Sequence, residues 1–157
     1  MSPYPNSFEL SEWIARPAAE IYKHLADPTN ILGLQPLLVE MTPVSRGTVH
    51  GRPLLSYETV EAFRLGGLTV AHNRIAVRTL LTQEPCRIDT FVTGAAGLVM
   101  LATYQFADRE GATLLTERVA VHIHPVLLPG VLATAKRVQR TTLARLKARL
   151  EARLEAQ

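Results

Sequence analysis

A chain of 157 residues with 47% hydrophobic content can bury a core without disulfides or metals, and its lone cysteine, Cys86, excludes an intramolecular bridge. No stretch reaches the roughly 20 apolar residues of a membrane span, and Met1 to Asn6 lack the basic-then-apolar pattern of a signal peptide, so a soluble protein of the reducing cytoplasm is expected. Residues 136–157 hold seven basic groups against two acidic ones, more than the whole net charge of +3. Charge confined to one C-terminal segment reads as a solvated helix face opposing the negative end of the helix dipole, and without an aromatic residue to stack on bases no nucleic-acid partner is expected.

Phe8 to Ile14 alternates apolar and polar residues until its last two positions, the pattern of a strand with one buried face. Pro17 then changes the period. Proline fits a first helical turn, Glu20 adds negative charge near the positive end, and Ala18, Ile21, Tyr22 and Leu25 follow at helical spacing up to Asp27-Pro28. A second short helix is expected from Asn30 to Leu34, ended by Gln35-Pro36.

From Leu37 to His124 the period is mostly two, broken at Arg46-Gly47, Gly51-Arg52-Pro53, Gly66-Gly67, Glu84-Pro85, Gly94 to Gly97 and Asp108 to Gly111. This predicts six strands near 37–45, 53–63, 68–82, 86–93, 98–107 and 112–124. Connections this short join neighbours only as antiparallel hairpins. In the strand at 98–107, Leu98, Met100, Ala102, Tyr104 and Phe106 share the face expected to point inward; in the next, Leu115, Glu117, Val119, Val121 and Ile123 do so. Glu117 is thus expected among hydrophobic residues, which is costly unless it is paired or protonated.

After Pro129 no proline interrupts the chain and after Gly130 no glycine, so Pro125 to Gln157 predicts one long helix. Its first half is apolar nearly all round and is expected to be buried; its second half carries a stripe of Val138, Leu143, Leu146, Leu150 and Leu154 and is expected to be partly solvated. The stripe packs on the chain's own sheet or docks on a second copy, so a monomer and a homodimer both stand. The fold class is α+β: a curved antiparallel sheet of about seven strands around a long C-terminal helix, in one domain over residues 1–157.

Ile14-Ala15-Arg16-Pro17-Ala18-Ala19-Glu20-Ile21-Tyr22-Lys23-His24-Leu25-Ala26-Asp27-Pro28 resembles the strand, Ala-x-Pro, helix and Asp sequence of the START-like superfamily often called SRPBCC, which includes polyketide cyclases and lipid-transfer domains. Pro36 fits as well, and so does Gly111 to Glu117 followed by an alternating strand, Pro125 and the long helix. The resemblance covers nearly the whole chain. It implies the helix-grip fold and a cavity between sheet and helix for a hydrophobic or amphipathic small molecule, lipid-like or polyketide-like. The tryptophan that members often carry near the end of the short helix is missing from Leu32-Gly33-Leu34-Gln35-Pro36; the only tryptophan is Trp13.

Leu34, Tyr57, Met100, Tyr104, Glu117, Val119, Leu128, Leu132 and Ala135 are the expected ligand-binding residues. Catalytic candidates are Glu117, Tyr104, Arg74 and His72, which could orient a carbonyl and move protons in a cyclisation or dehydration if the strand at 68–82 turns His72, Arg74 and Arg78 inward. Alternation favours the opposite, with Ile75, Val77 and Leu81 inside and His72, Arg74 and Arg78 in solvent. His122 and His124 share a strand face, but the other face of that strand is the more apolar, so no metal and no cofactor is expected. Cys86 is expected to be a buried, inert thiol. No phosphate loop, Ser-His-Asp pattern or CxxC motif is present. An interaction module acting through the basic helix is a third reading.

Overall fold

Pro17 sets the first change of direction. Its extended backbone (φ −61°, ψ 147°) ends strand β1 (Ser7–Ile14) and caps helix α1 (Ala18–Leu25), whose first free amide, Ala18 N–H, donates to Asp108 Oδ2 at 3.0 Å. Asp27 then accepts from the amide and the hydroxyl of Thr29 at 3.1 and 2.7 Å, opening a 3-10 turn at Pro28–Ile31. The expected helix at 30–34 therefore begins two residues earlier, because an Asp cap followed by proline starts the turn at Pro28. The computed structural model describes residues 5–65 and 68–155, apart from the side chains of residues 63–65, 70, 154 and 155.

Seven more strands follow: β2 (Leu38–Met41), β3 (Ser45–Val49), β4 (Arg52–Leu65), β5 (Leu68–Gln83), β6 (Arg87–Thr93), β7 (Val99–Arg109) and β8 (Ala112–His122). They form one antiparallel sheet in the order β1-β8-β7-β6-β5-β4-β2, with β3 also on β4. The sheet has eight strands rather than about seven because the strand expected at 37–45 ends at Met41, before Pro43, which has no N–H to give to the ladder, and a further strand forms at Ser45–Val49 across the expected turn. β3 runs through Arg46-Gly47, and the turn falls at His50-Gly51, both with positive φ (50° and 75°). The expected turn at Gly66-Gly67 lies outside the described residues.

Helix α2 (Leu128–Glu155) crosses the concave face. Its burial is the reverse of the expectation. Leu143, Leu146 and Leu150 in the second half are buried in a cluster with Ile14, Ile21, Tyr22 and Leu115, whereas Val126, just before the helix, is 79% exposed and Val131 and Leu132 are only partly covered. The second half is held down by the end of β1. Arg16 Nε donates to the Leu150 carbonyl at 2.9 Å, Ala15 N–H to Glu151 Oε1 at 3.0 Å, and Lys147 Nζ to the Trp13 carbonyl at 2.5 Å. Burying each leucine contributes about 1.5–3 kcal/mol, so this seam anchors the helix and leaves its first half to stand off the sheet. Leu154 of the expected stripe lies outside the described side chains.

Candidate functional site

The stand-off leaves a cavity of about 340 Å³ between the concave face and the first half of α2. Its roof is one side of that helix, with Val131, Thr134, Ala135, Val138, Gln139 and Thr142 at three- and four-residue steps. Its floor is the inner face of the sheet. The ladder aligns Tyr57, Val77, Val92 and Met100 in one row across β4, β5, β6 and β7, and Thr79, Thr90 and Ala102 in the next. Leu25, Ile31, Leu37 and Leu38 close the side under α1 and the 3-10 turn.

Glu117 lies in the wall that β8 contributes. It is 0% exposed, and neither carboxyl oxygen completes a hydrogen bond. Tyr104 stands directly opposite it on β7 and keeps some surface toward the cavity. Burial pushes the Glu117 carboxyl from 4.5 up to about 7, and the Tyr104 hydroxyl draws it back only in part. The same burial, reinforced by the carboxyl across the ladder, holds the Tyr104 phenol well above its ordinary value. A carboxyl that can be acid or base near neutrality beside a neutral phenol can accept, donate or relay a proton at a ligand.

A second carboxyl, Glu61, borders the cavity from β4. Gln35 Nε2 donates to its Oε1 at 2.7 Å, and burial raises its pKa while that bond lowers it. Gln35 is itself fixed, its Oε1 accepting from Leu37 N–H at 2.7 Å. Asn73 faces Glu61 across the β4–β5 ladder.

Of the expected ligand-binding residues, Tyr57, Met100, Tyr104, Glu117 and Ala135 border the cavity. Leu34 and Val119 do not, being buried in the packed clusters on either side, and Leu128 and Leu132 pack against the second of these clusters beside the cavity. Arg74 and His72 are corrected. Both lie on the convex face, because β5 turns Asn73, Ile75, Val77 and Thr79 inward. Arg74 pairs with Glu58 at 2.7 Å with its side chain 64% exposed. Cys86, expected buried, is exposed in the turn before β6. Glu61, Gln35 and Asn73 were not anticipated, although alternation from Tyr57 through Thr59 to Glu61 places the carboxyl on the face of the expected wall residue.

A curved antiparallel sheet closed over a cavity by a long terminal helix is the START-like, helix-grip architecture. The chain belongs to the polyketide cyclase/dehydrase and lipid transport family, whose model matches residues 6–151. Among solved structures it is similar to a START superfamily protein from Mycobacterium smegmatis, at 17% identity and a TM-score of 0.74 over 93% of this chain and 97% of that one. It is also similar to the Zhui aromatase/cyclase from Streptomyces sp. R1128, at 16% identity and a TM-score of 0.69 over 94% of each chain. No curated protein matches the sequence significantly. Among the described residues no helix is long and apolar enough to cross a membrane.

Proposed function

We propose that residues 1–157 form one ligand-binding domain that encloses a hydrophobic or amphipathic small molecule between the sheet and α2. The cavity carries this reading. It is largely apolar, of the size that takes a small ligand, and provided with a few polar groups that fix orientation. Tyr57, Met100, Tyr104, Glu117 and Ala135 are its proposed contacts, with Glu61 added from β4. Burial of apolar ligand surface supplies about 25 cal/mol per Å² before ordering costs. An exposed free thiol at Cys86 suits a reducing compartment such as the cytoplasm.

Native mass spectrometry of freshly purified protein, set against its denatured mass, tests the reading and reports the oligomer together. A non-covalent mass released on denaturation is the expected result. A chain with no retained mass that also fails to take up an added apolar probe ends the proposal.

Glu117 beside Tyr104 favours a second reading, a cyclase or dehydratase in which this pair moves the proton. The name of the Streptomyces neighbour agrees with it. An enzyme of this kind shows a pH–rate break near 7 that disappears in Glu117→Gln; turnover with an unchanged profile in that variant removes Glu117 from the chemistry.

The interaction-module reading loses ground on α2. Arg149 Nη1 and Nη2 donate to the Asn30 and Leu32 carbonyls at 2.6 and 3.1 Å, and Lys147 bonds Trp13 and Glu151, so two of the basic groups are engaged within the chain and are not free for a partner.

A further inference from the structure

The two carboxyls of the cavity stand on opposite walls. In the strand order Glu117 is on β8 and Glu61 on β4, with β7, β6 and β5 between them, and only the curl of the sheet brings both to one space. A ligand with a single polar end can reach one and not the other. The described lining residues otherwise offer hydroxyls and amides such as Tyr57, Thr90, Asn73 and Gln139; no lysine, arginine or histidine is among them.

Both carboxyls ask for a donor. Glu117 is fully buried with two unpartnered oxygens, a state whose cost disappears when a ligand supplies an O–H or N–H. At Glu61, the Gln35 amide is already oriented by Leu37 N–H, so it meets Oε1 as a donor and leaves Oε2 to a further donor. An anionic headgroup would meet a carboxyl at either end, in surroundings where charges are poorly screened.

Resting on the ligand-binding reading above, we infer that the cavity selects an elongated molecule with a hydrogen-bond donor toward each end, one received by Glu117 and the other by Glu61, and discriminates against anionic amphiphiles. The donor is a hydroxyl or an ammonium group.

The test is displacement of the uncharged fluorophore N-phenylnaphthylamine from the whole protein at about pH 8 by four ligands of equal chain length: dodecanoate, dodecanol, α,ω-dodecanediol and α,ω-dodecanediamine. The diol or the diamine is expected to displace the probe at a concentration at least about tenfold below that of dodecanoate, well within the discrimination that sites built for hydrogen bonds show against analogues that cannot make them. The better of the two says which donor the cavity takes. The diol is also expected to surpass dodecanol in the parent and to lose that advantage in Glu61→Leu. Dodecanoate equal to or tighter than both double-headed ligands overturns the inference, as does a diol advantage that survives Glu61→Leu. The parent panel decides the first point even if that variant does not fold. A probe that fails to bind the parent defeats the ligand-binding reading itself, and the inference with it.

Discussion

Tyr104 and Glu117 face each other across the β7–β8 ladder, a phenol and a carboxyl in direct register under the helix, and the carboxyl forms no hydrogen bond. Such a pair is a cost to the fold that a ligand can relieve.

The cost has a pH signature. The Glu117 carboxyl titrates near 4.5 when unfolded and near 7 when folded. Between these values the folded state holds more protons, so stability falls as pH rises through the window and levels off above it. The full change is about 3 kcal/mol. Glu117→Gln keeps the shape and loses the charge, so its urea midpoint at about pH 8 should exceed the parent's, with the two converging near pH 4.5. Parallel curves would show that the carboxyl is not strained.

His24 acts with the opposite sign. Burial, then the charges of Arg153 and Arg149, hold its pKa below 6.5 against a smaller pull from Asp27. Stability from the neutral imidazole is present above pH 6.5 and is lost as pH falls through the folded value. His24→Gln should therefore flatten the acid limb that Glu117→Gln leaves standing. Unchanged acid unfolding in His24→Gln counts against it.

Arg149 ties α2 to the 3-10 turn through the Asn30 and Leu32 carbonyls. The same turn supplies Ile31, and the segment after it Gln35, to the cavity wall. Arg149→Met should cost about 1–3 kcal/mol and speed hydrogen exchange across residues 28–36 more than across β7 and β8. Uniform exchange changes would mean that the arginine supports the whole fold and not this wall.

Strand faces were legible in the sequence because alternation is a local signal. Tyr104 and Glu117 were placed inward on that basis, and they are inward. The burial of α2 was not legible. Composition marks Val126 and Leu127 as the more apolar end, but the hydrogen bonds of Arg16 and Lys147 to distant residues decide which end is pressed down. Leu34 and Val119 illustrate the same limit, since alternation says which face a side chain takes and not whether its neighbours leave a gap. Arg74 and His72 followed the simpler reading of their strand, with charge outside and Ile75 and Val77 within.

Ala135 borders the cavity from the roof, so a larger side chain there occupies the space and leaves untouched the seam between the second half of α2 and the end of β1. The most direct measurement is fluorescence titration of N-phenylnaphthylamine into the parent and Ala135→Phe, with thermal melts of both. Saturable binding by the parent, weakened at least about tenfold in a variant whose melt is preserved, is the predicted result. No saturable binding by the parent, or equal binding by a folded Ala135→Phe, would contradict a ligand site between the sheet and the helix.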